Sequence, residues 1–175
     1  MTTEAPSRDR ATEPERLWVV VTELRDETCA FAADVVLEVF PLERWTPVPG
    51  SPPFVIGVVA RKGAAYGVLD VGLLREALSG GHWSSGRVEA GREPLGGQTT
   101  GLLLRTPAGG LVVSAREVVG LVAAERVAAE QSTTPDVLAP SFVTAAGSAL
   151  RLYDASQLET LGRAELRAVA LSART

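Results

Sequence analysis

Short apolar runs rich in β-branched residues alternate with turn-forming residues along most of the chain. The first run, Leu17 to Leu24, carries Trp18 and three valines, and Glu27 to Ala33 follows it after a charged turn at Arg25 and Asp26. Valine, threonine and aromatic residues favour strands, and two such runs on either side of a short polar turn are typical of a hairpin. The pattern therefore predicts an antiparallel pair of strands near the start of the chain.

The next part of the chain contains one ambiguous run and one clear pair of strands. Val35 to Phe40 fits a short helix or a strand, because its hydrophobic periodicity does not distinguish the two. Pro41 ends this run, since proline lacks the backbone N–H that either structure would use. Strands are predicted at Phe54–Ala60 and Ala64–Val71. The turn between them ends in Gly63, which can adopt the positive φ that such a turn often requires.

The second half of the chain repeats the β pattern after a long interruption. Val71 to Leu78 is predicted to be a short helix, and the Gly- and Ser-rich stretch from Ser79 to Gly101 is predicted to be a long mobile loop. The later part is then expected to contain five strands, a helical turn and a polar connection. The strands are Leu102–Thr106, Leu111–Ser114, Glu117–Ala124, Phe142–Ala145 and Ala149–Tyr153, the turn is Glu125–Glu130 and the connection is Gln131–Pro140.

A terminal helix is predicted to follow the last strand. Ser156 and Glu159 have the spacing of a capping box, in which the Ser oxygen and the Glu carboxylate accept hydrogen bonds from free N–H groups at a helix start. A helix that begins there would carry an apolar face and one weak point. The face is Leu158, Leu161, Ala168 and Val169, and the weak point is Gly162.

About ten short strands in two groups, on either side of the long loop, predict an all-β protein of two small barrels. The chain has 175 residues, of which 46% are hydrophobic, and this is enough for two small barrels to share one core. No apolar run approaches the ~20 residues that span a bilayer. Residues 1–16 are polar and mixed in charge, and they are predicted to be a flexible tail. We therefore expect a cytoplasmic protein.

Composition and isolated side chains argue against several kinds of chemistry. The net charge is −4 and the arginines are scattered, whereas a nucleic-acid surface usually shows a basic patch. Cys29 lies in an apolar run and is predicted to be a buried, inert thiol, and His82 has no neighbouring ligand with which to hold a metal. Asp70 ends a predicted strand and is expected to accept N–H bonds at the start of the next helix. The sequence therefore predicts no catalytic residue, cofactor or metal site.

One continuous stretch carries a more specific pattern. It runs from the proline-rich turn at 48–53, through the strand that contains Gly57, to a basic pair before Gly63 and a strand end at Asp70. This stretch resembles the signature of the CheW-like domain family. Three more blocks resemble the family in the same order, and they are Val36–Val39, Gly110–Val113 and Leu150–Leu158. The resemblance covers roughly residues 17–161.

The resemblance implies an all-β fold of two five-stranded SH3-like barrels on a shared hydrophobic core, with short helices and a C-terminal helix. It places the domain at 17–162, with the helix end and a tail at 163–175. It also implies a non-enzymatic adaptor that couples the cytoplasmic tip of a chemoreceptor to the regulatory domain of a histidine kinase. The binding residues that it implies are apolar in a groove between the barrels and charged at the rim. They are Val35, Val36 and Val39 in the groove, and Glu38, Arg61 and Lys62 at the rim.

The chain departs from the family pattern at four positions. Ala60 replaces Asn, Lys62 replaces Arg, Gly67 replaces Pro, and Ser114 stands where relatives often carry Asp. A lysine cannot grip a carboxylate with two parallel hydrogen bonds as an arginine does. These changes leave open an accessory adaptor that binds receptor or another adaptor but not the kinase. A small-ligand-binding barrel is a further alternative.

The basic pair Arg61 and Lys62 has two interpretations in the sequence. It is either a docking site or the solvated tip of a hairpin. In the first case, reversing both charges is expected to weaken receptor binding without unfolding the protein.

Overall fold

The computed structural model describes residues 15–25, 27–80, 99–127, 138 and 141–172. Within these residues the chain forms ten strands and two helices. The strands of the first part are β1 (Arg16–Glu23), β2 (Thr28–Ala32), β3 (Val36–Pro41), β4 (Val55–Arg61) and β5 (Ala64–Leu69). Helix α1 (Val71–Leu78) follows them. The later elements are β6 (Thr100–Leu104), β7 (Leu111–Ala115), β8 (Glu117–Val127), β9 (Ser141–Ala145), β10 (Ser148–Tyr153) and α2 (Ala155–Ser172).

The strands form two five-stranded sheets that share one order of pairing. The first is a closed barrel in the order β1-β2-β10-β9-β8, and the second has the order β3-β6-β7-β5-β4. Each sheet contains one parallel pair, β2 with β10 and β5 with β7, and its other pairs are antiparallel. Read from β1 and from β4, the two sheets therefore repeat one scheme: a hairpin, a parallel step, a second hairpin and a fifth strand.

The two sheets do not correspond to the two halves of the chain. The closed barrel takes two strands from the start and three from the end, and the second sheet takes the five strands between them. Two five-stranded sheets are present as expected, but only one of them closes into a barrel, and the long connection after α1 joins two strands of the second sheet rather than the two sheets. The reason is the parallel pairing, since a parallel neighbour cannot be reached through a tight turn and must come from elsewhere in the chain.

The ambiguous run before Pro41 is a strand. Glu38 pairs with Leu103 and Phe40 with Gly101 in the antiparallel ladder between β3 and β6. The run ends at Pro41, as predicted, because a proline cannot donate a further ladder hydrogen bond. Pairing with β6 therefore decides a question that the local pattern left open.

Two local predictions at the end of the chain are wrong. Residues 125–127 continue β8, since Glu125 pairs with both Arg16 and Thr144, and these partners override the helix preference of the local sequence. Helix α2 begins at Ala155, one residue before the predicted cap, and its first N–H groups at Ser156 and Gln157 donate to Oδ1 of Asp154. Glu159 instead accepts from the N–H of Ala108, 3.3 Å away, in the β6–β7 turn.

Some predicted features lie outside the described residues. These are residues 1–14 of the tail predicted at 1–16, Asp26, most of the predicted loop including His82, most of the segment at 128–140, and residues 173–175. Arg16, at the end of the predicted tail, is instead the first residue of β1. Of the predicted apolar face of α2, the structure describes Leu158 as fully buried and Leu161 as partly buried.

Both faces of the central strands are buried because a second layer covers the outside of each sheet. Val19 and Val21 of β1 point into the closed barrel, while Val20 between them joins a core shared with the second sheet and the helices. Val112 of β7 points into the second sheet, and its neighbour Val113 joins the shared core. Three apolar clusters thus hold the molecule together, one inside each sheet and one between them.

Helix α1 begins where the sequence predicts. Asp70 is its N-cap, and Oδ1 of Asp70 accepts from the N–H of Leu73 at 3.0 Å. Val71 and Leu74 are buried in the shared core. The role assigned to Asp70 from the sequence is therefore confirmed.

Candidate functional site

The two sheets differ in how their edges close. In the closed barrel, β8 pairs with β1 along eight residues of β1. In the second sheet, the edge strands β3 and β4 are not paired with each other. Side chains cross this opening instead, because Arg61 at the end of β4 donates to Oε1 of Glu38 on β3. Lys62 Nζ lies 3.1 Å from the other carboxylate oxygen. Glu38, Arg61 and Lys62 together are called the charged clasp below.

The charged clasp also covers an aromatic side chain of the second sheet. Glu38 is opposite Leu103, which points into that sheet, so the Glu38 side chain faces inward and is 16% exposed. The Arg61 guanidinium lies 4.3 Å from the centre of the buried Phe40 ring. A cation over an aromatic face is attracted by the negative face of the ring. Arg61 therefore makes both a charged and an apolar contact across the opening.

Lys62 occupies a different position from Arg61 in the same turn. Its side chain is 73% exposed and its φ is +48°, a left-handed conformation that is uncommon for a residue with a side chain. Gly63 follows with φ of +80°, as the turn was predicted to require. Of the two basic residues, Arg61 holds the opening and Lys62 presents its charge to solvent.

The charged clasp makes the Glu38 carboxylate easier to ionise. Hydrogen bonds from Arg61 and then from Lys62 hold the pKa of Glu38 below its ordinary value. A carboxylate whose pKa is lower in the folded than in the unfolded protein stabilises the fold above the ordinary Glu range, about 4.3, and that contribution is lost as the pH falls through the folded pKa.

A pH-dependent stability difference is therefore expected between the wild type and Glu38→Gln. The wild type should have the higher urea midpoint at about pH 7, and the difference should be smaller at about pH 3, below the ordinary Glu pKa of about 4.3, because more of the carboxylate is protonated there. Urea unfolding of both proteins at the two pH values checks this. A difference of the same size at both pH values would mean that the charge of Glu38 is not what stabilises the opening.

The apolar residues predicted for the site fall into two groups. Val35 and Val36 are partly buried and pack against the shared core, so they are mainly structural contacts in this state. Val39 is 44% exposed, and its pairing opposite Leu102 places it on the sheet face that also carries the shared core. Leu37, which was not selected from the sequence, is 41% exposed beside it. Exposed Leu37 and Val39 thus flank Glu38 along β3.

The four departures from the family pattern are not all on the surface. Ala60 and Gly67 are exposed on β4 and β5, near Lys62. Ser114 is fully buried, and its hydroxyl donates to the carbonyl oxygen of Leu69 at 3.1 Å. The exchange at Ser114 therefore keeps a hydrogen bond inside the second sheet and does not alter an exposed surface.

The remaining candidates for chemistry are structural where they are described. Cys29 is fully buried, and burial raises the pKa of its thiol. Among residues whose placement is described, no group of three or more His, Cys, Asp or Glu side chains is arranged to hold a metal. None of the described helices is both long and apolar enough to cross a membrane.

A comparison with protein families shows the family to which the chain belongs. The sequence matches the CheW-like domain over residues 18–159, a span that runs from β1 into α2. The chain belongs to the CheW-like domain family. No curated protein matches it. A solved structure described as the scaffolding protein TtCheW from Thermoanaerobacter tengcongensis is similar in fold, with a TM-score of 0.58 at 14% sequence identity. That similarity covers 85% of this chain and 90% of the other.

The structure of this CheW-like protein also shows an exposed apolar area that the sequence did not single out. Trp18 on β1 and Val119 and Leu121 on β8 are each 58–60% exposed. Residue pairs across β1 and β8 place Leu121 opposite Val20 and Ala123 opposite Trp18, so these side chains share the outer face of the barrel. Exposed and less exposed residues alternate from Glu117 to Glu125 in the structure, but the sequence gives no signal for this, because residues 118–124 form one uninterrupted run without a charged or polar side chain.

Proposed function

We propose that this CheW-like protein is a non-enzymatic adaptor of a chemotaxis-like signalling system, which joins the helical tip of a chemoreceptor to the regulatory domain of a histidine kinase. Family membership supports the adaptor class. The proposal includes action in the cytoplasm, at membrane-associated receptor arrays. In the experiment below, an isolated signalling-tip hairpin represents the chemoreceptor.

The observation that carries the proposal is the surface of β3. Leu37 and Val39 are apolar side chains with more than two fifths of their surface exposed, and they flank the inward-facing Glu38 along β3. Lys62, which pairs with Glu38, is 73% exposed in the β4–β5 turn. Apolar anchors next to charged groups are the usual composition of a transient protein interface, where the anchors supply affinity and the rim charges fix the register. We therefore propose that the receptor tip binds along β3, with Val39 as an anchor and Lys62 as a rim charge.

An accessory adaptor that does not bind the kinase is the second candidate. Lys62 stands at the family Arg position and offers an exposed ammonium in place of a guanidinium, which favours weaker or different charge recognition. Ser114 does not add to this case, because it is buried and hydrogen-bonded. The exposed departures at Ala60, Lys62 and Gly67 are therefore the ones that favour this candidate over an ordinary coupling protein.

A ligand-binding barrel has less support than either adaptor. Ligand-binding barrels enclose an interior cavity. Here the inside of the closed barrel is filled by small and medium apolar side chains, which are Val19, Val21, Ala30, Ala124, Val143, Ala145 and Leu152. Filled interiors favour binding through the outer surfaces.

The proposal is tested by titrating the protein with a receptor signalling-tip hairpin and, separately, with an isolated kinase regulatory domain. Val39→Asp should raise the Kd for the hairpin about tenfold or more, which is the effect of losing ~1.4 kcal/mol at an interface anchor. Leu121→Asp is the control, because it places the same charge at an exposed apolar position on the closed barrel, where Leu121 is 59% exposed against 44% for Val39. The control should bind the hairpin as the wild type does.

Each outcome of the titration separates the candidates. Binding of both partners identifies an ordinary coupling protein, and binding of the hairpin alone identifies an accessory adaptor. Equal binding by Val39→Asp and wild type would remove β3 from the receptor site. Failure to bind either partner would return the ligand-binding barrel to consideration.

A further inference from the structure

Of the described residues between β1 and β2, Arg25 and Glu27 carry opposite charges, and each forms an ion pair with helix α1 or its N-cap. Arg25 Nη2 lies 2.9 Å from Oδ2 of Asp70, the N-cap of α1. Glu27 Oε1 accepts from Nη2 of Arg75, which lies in the same helix. Along the turn a positive residue precedes a negative one, whereas along the helix the negative residue comes first, so the charges are complementary. Two ion pairs join the β1–β2 turn of the closed barrel to helix α1, which follows β5 of the second sheet.

Glu27 is also tied to its own barrel. Tyr153 at the end of β10 donates its hydroxyl to Oε1 of Glu27, and Arg151 Nε lies 3.6 Å from Oε2. The Tyr153 ring is buried, stacks on Phe31 with the ring centres 5.8 Å apart, and lies 5.6 Å from the Arg75 guanidinium. A single carboxylate is thus contacted by both halves of the molecule.

These ion pairs differ from the apolar contacts around them in being directional. Val71 and Leu74 of α1 pack into the shared core. Apolar burial stabilises contact between the two sheets in proportion to the area buried, but it is non-directional and does not select one angle between them. Hydrogen bonds between charged groups are short and oriented, and they are screened less when the groups are shielded from water. The Asp70 side chain is fully buried and that of Glu27 is 20% exposed. Oriented contacts of this kind can hold one angle between two packed bodies.

We propose that the two ion pairs, Arg25 with Asp70 and Glu27 with Arg75, hold the closed barrel and the second sheet at one relative orientation and so shape the surface that binds a partner. These four are positioning residues. The binding consequence rests on the proposed function, whereas the orientation itself is measurable without a partner.

The experiment measures the distance between spin labels on the two sheets. Labels are attached through cysteines introduced at Ser148 on β10 and Ala65 on β5, both of which are exposed, while the native Cys29 is buried. Glu27→Gln keeps the shape of the side chain and removes its charge. We expect a broader distance distribution in this variant and a Kd for the receptor hairpin raised about threefold to tenfold, in the range of couplings transmitted through packed networks.

Glu125→Gln is the matched control. It makes the same chemical change in an ion pair with Arg16 that is exposed and lies within the closed barrel, so both the distance distribution and the Kd should stay as in the wild type. Arg75→Gln breaks the Glu27 pair from the helix side and replaces Glu27→Gln if that variant does not fold.

An equally narrow distribution in the folded Glu27 or Arg75 variant would overturn the inference. A broader distribution with unchanged affinity would overturn its link to binding. If the distribution broadens and even the wild type binds no partner, the proposed function fails while the role of the ion pairs in orientation stands.

Discussion

Arg61→Glu is expected to lose both stability and receptor affinity, whereas Lys62→Glu is expected to lose affinity alone. The Arg61 guanidinium pairs with Glu38 and covers Phe40, so its reversal places two carboxylates across the opening of the second sheet. We expect a loss of about 1–3 kcal/mol in the free energy of unfolding, less than fully buried pairs show because 35% of the Arg61 side chain is exposed. The Lys62 side chain is 73% exposed, and its reversal should change stability by about 0.5 kcal/mol or less.

The two variants control for each other, since each makes the same change of charge in the same turn. Urea unfolding gives their stabilities, and titration with the receptor hairpin gives their affinities. From the sequence, reversing both charges is expected to weaken binding without unfolding the protein. The structure leads us to expect this of Lys62 only, because Arg61 also stabilises the second sheet. Equal midpoints for Arg61→Glu and Lys62→Glu would show that the charged clasp does not stabilise the second sheet.

Gly57→Ala is expected to destabilise the protein, whereas Gly67→Ala should be nearly neutral. A Cβ atom on Gly57 would lie 2.4 Å from the carbonyl oxygen of Thr46 and 2.8 Å from Cδ1 of Trp45. Thr46 and Val58 exchange two backbone hydrogen bonds of 2.8 Å at this point, so the crossing chain has little freedom to move away. Overpacking of this kind costs about 1–3 kcal/mol.

The Gly67 position on the neighbouring strand provides the control. A Cβ atom there meets nothing within 4 Å, and alanine is no worse than glycine in a strand. Thermal and urea unfolding of both variants measure the contrast. If Gly57→Ala unfolds at the wild-type midpoint, the segment around Thr46 is free to move, and its contact with β4 is not part of what holds the second sheet.

The sequence was most informative where local pattern and tertiary pairing agree. The hairpins β1–β2 and β4–β5, the helix at 71–78 and the capping role of Asp70 all follow from short-range rules of periodicity, turns and caps. At Glu125–Val127 the local residues favour a helix, but two neighbouring strands supply hydrogen-bond partners, and the strand results.

The site was predictable in its residue types but not in its geometry. Glu38 lies 23 positions before Arg61 and 24 before Lys62, and only the structure of the sheet shows that these side chains meet. The pairing of Glu27 with Arg75 and Tyr153 had no signal in the sequence, because it joins three separate segments. The sequence selected Val35 and Val36, which pack against the shared core, and did not select Leu37, which is exposed. Only the burial of each side chain in the structure distinguishes these residues.

The five strands of the second sheet are inserted in the chain between the second and third strands of the closed barrel, and this order has a consequence for how the protein is made. All five strands of that sheet come from one continuous stretch, whereas β1 finds its partner β8 about a hundred residues further along. During synthesis the second sheet can assemble while the hairpin β1–β2 still lacks its neighbouring strands, β8 and β10. Pairing between distant segments is slow to form because a long loop must be closed first. The closed barrel is therefore expected to fold after the second sheet, once β8, β9 and β10 have left the ribosome.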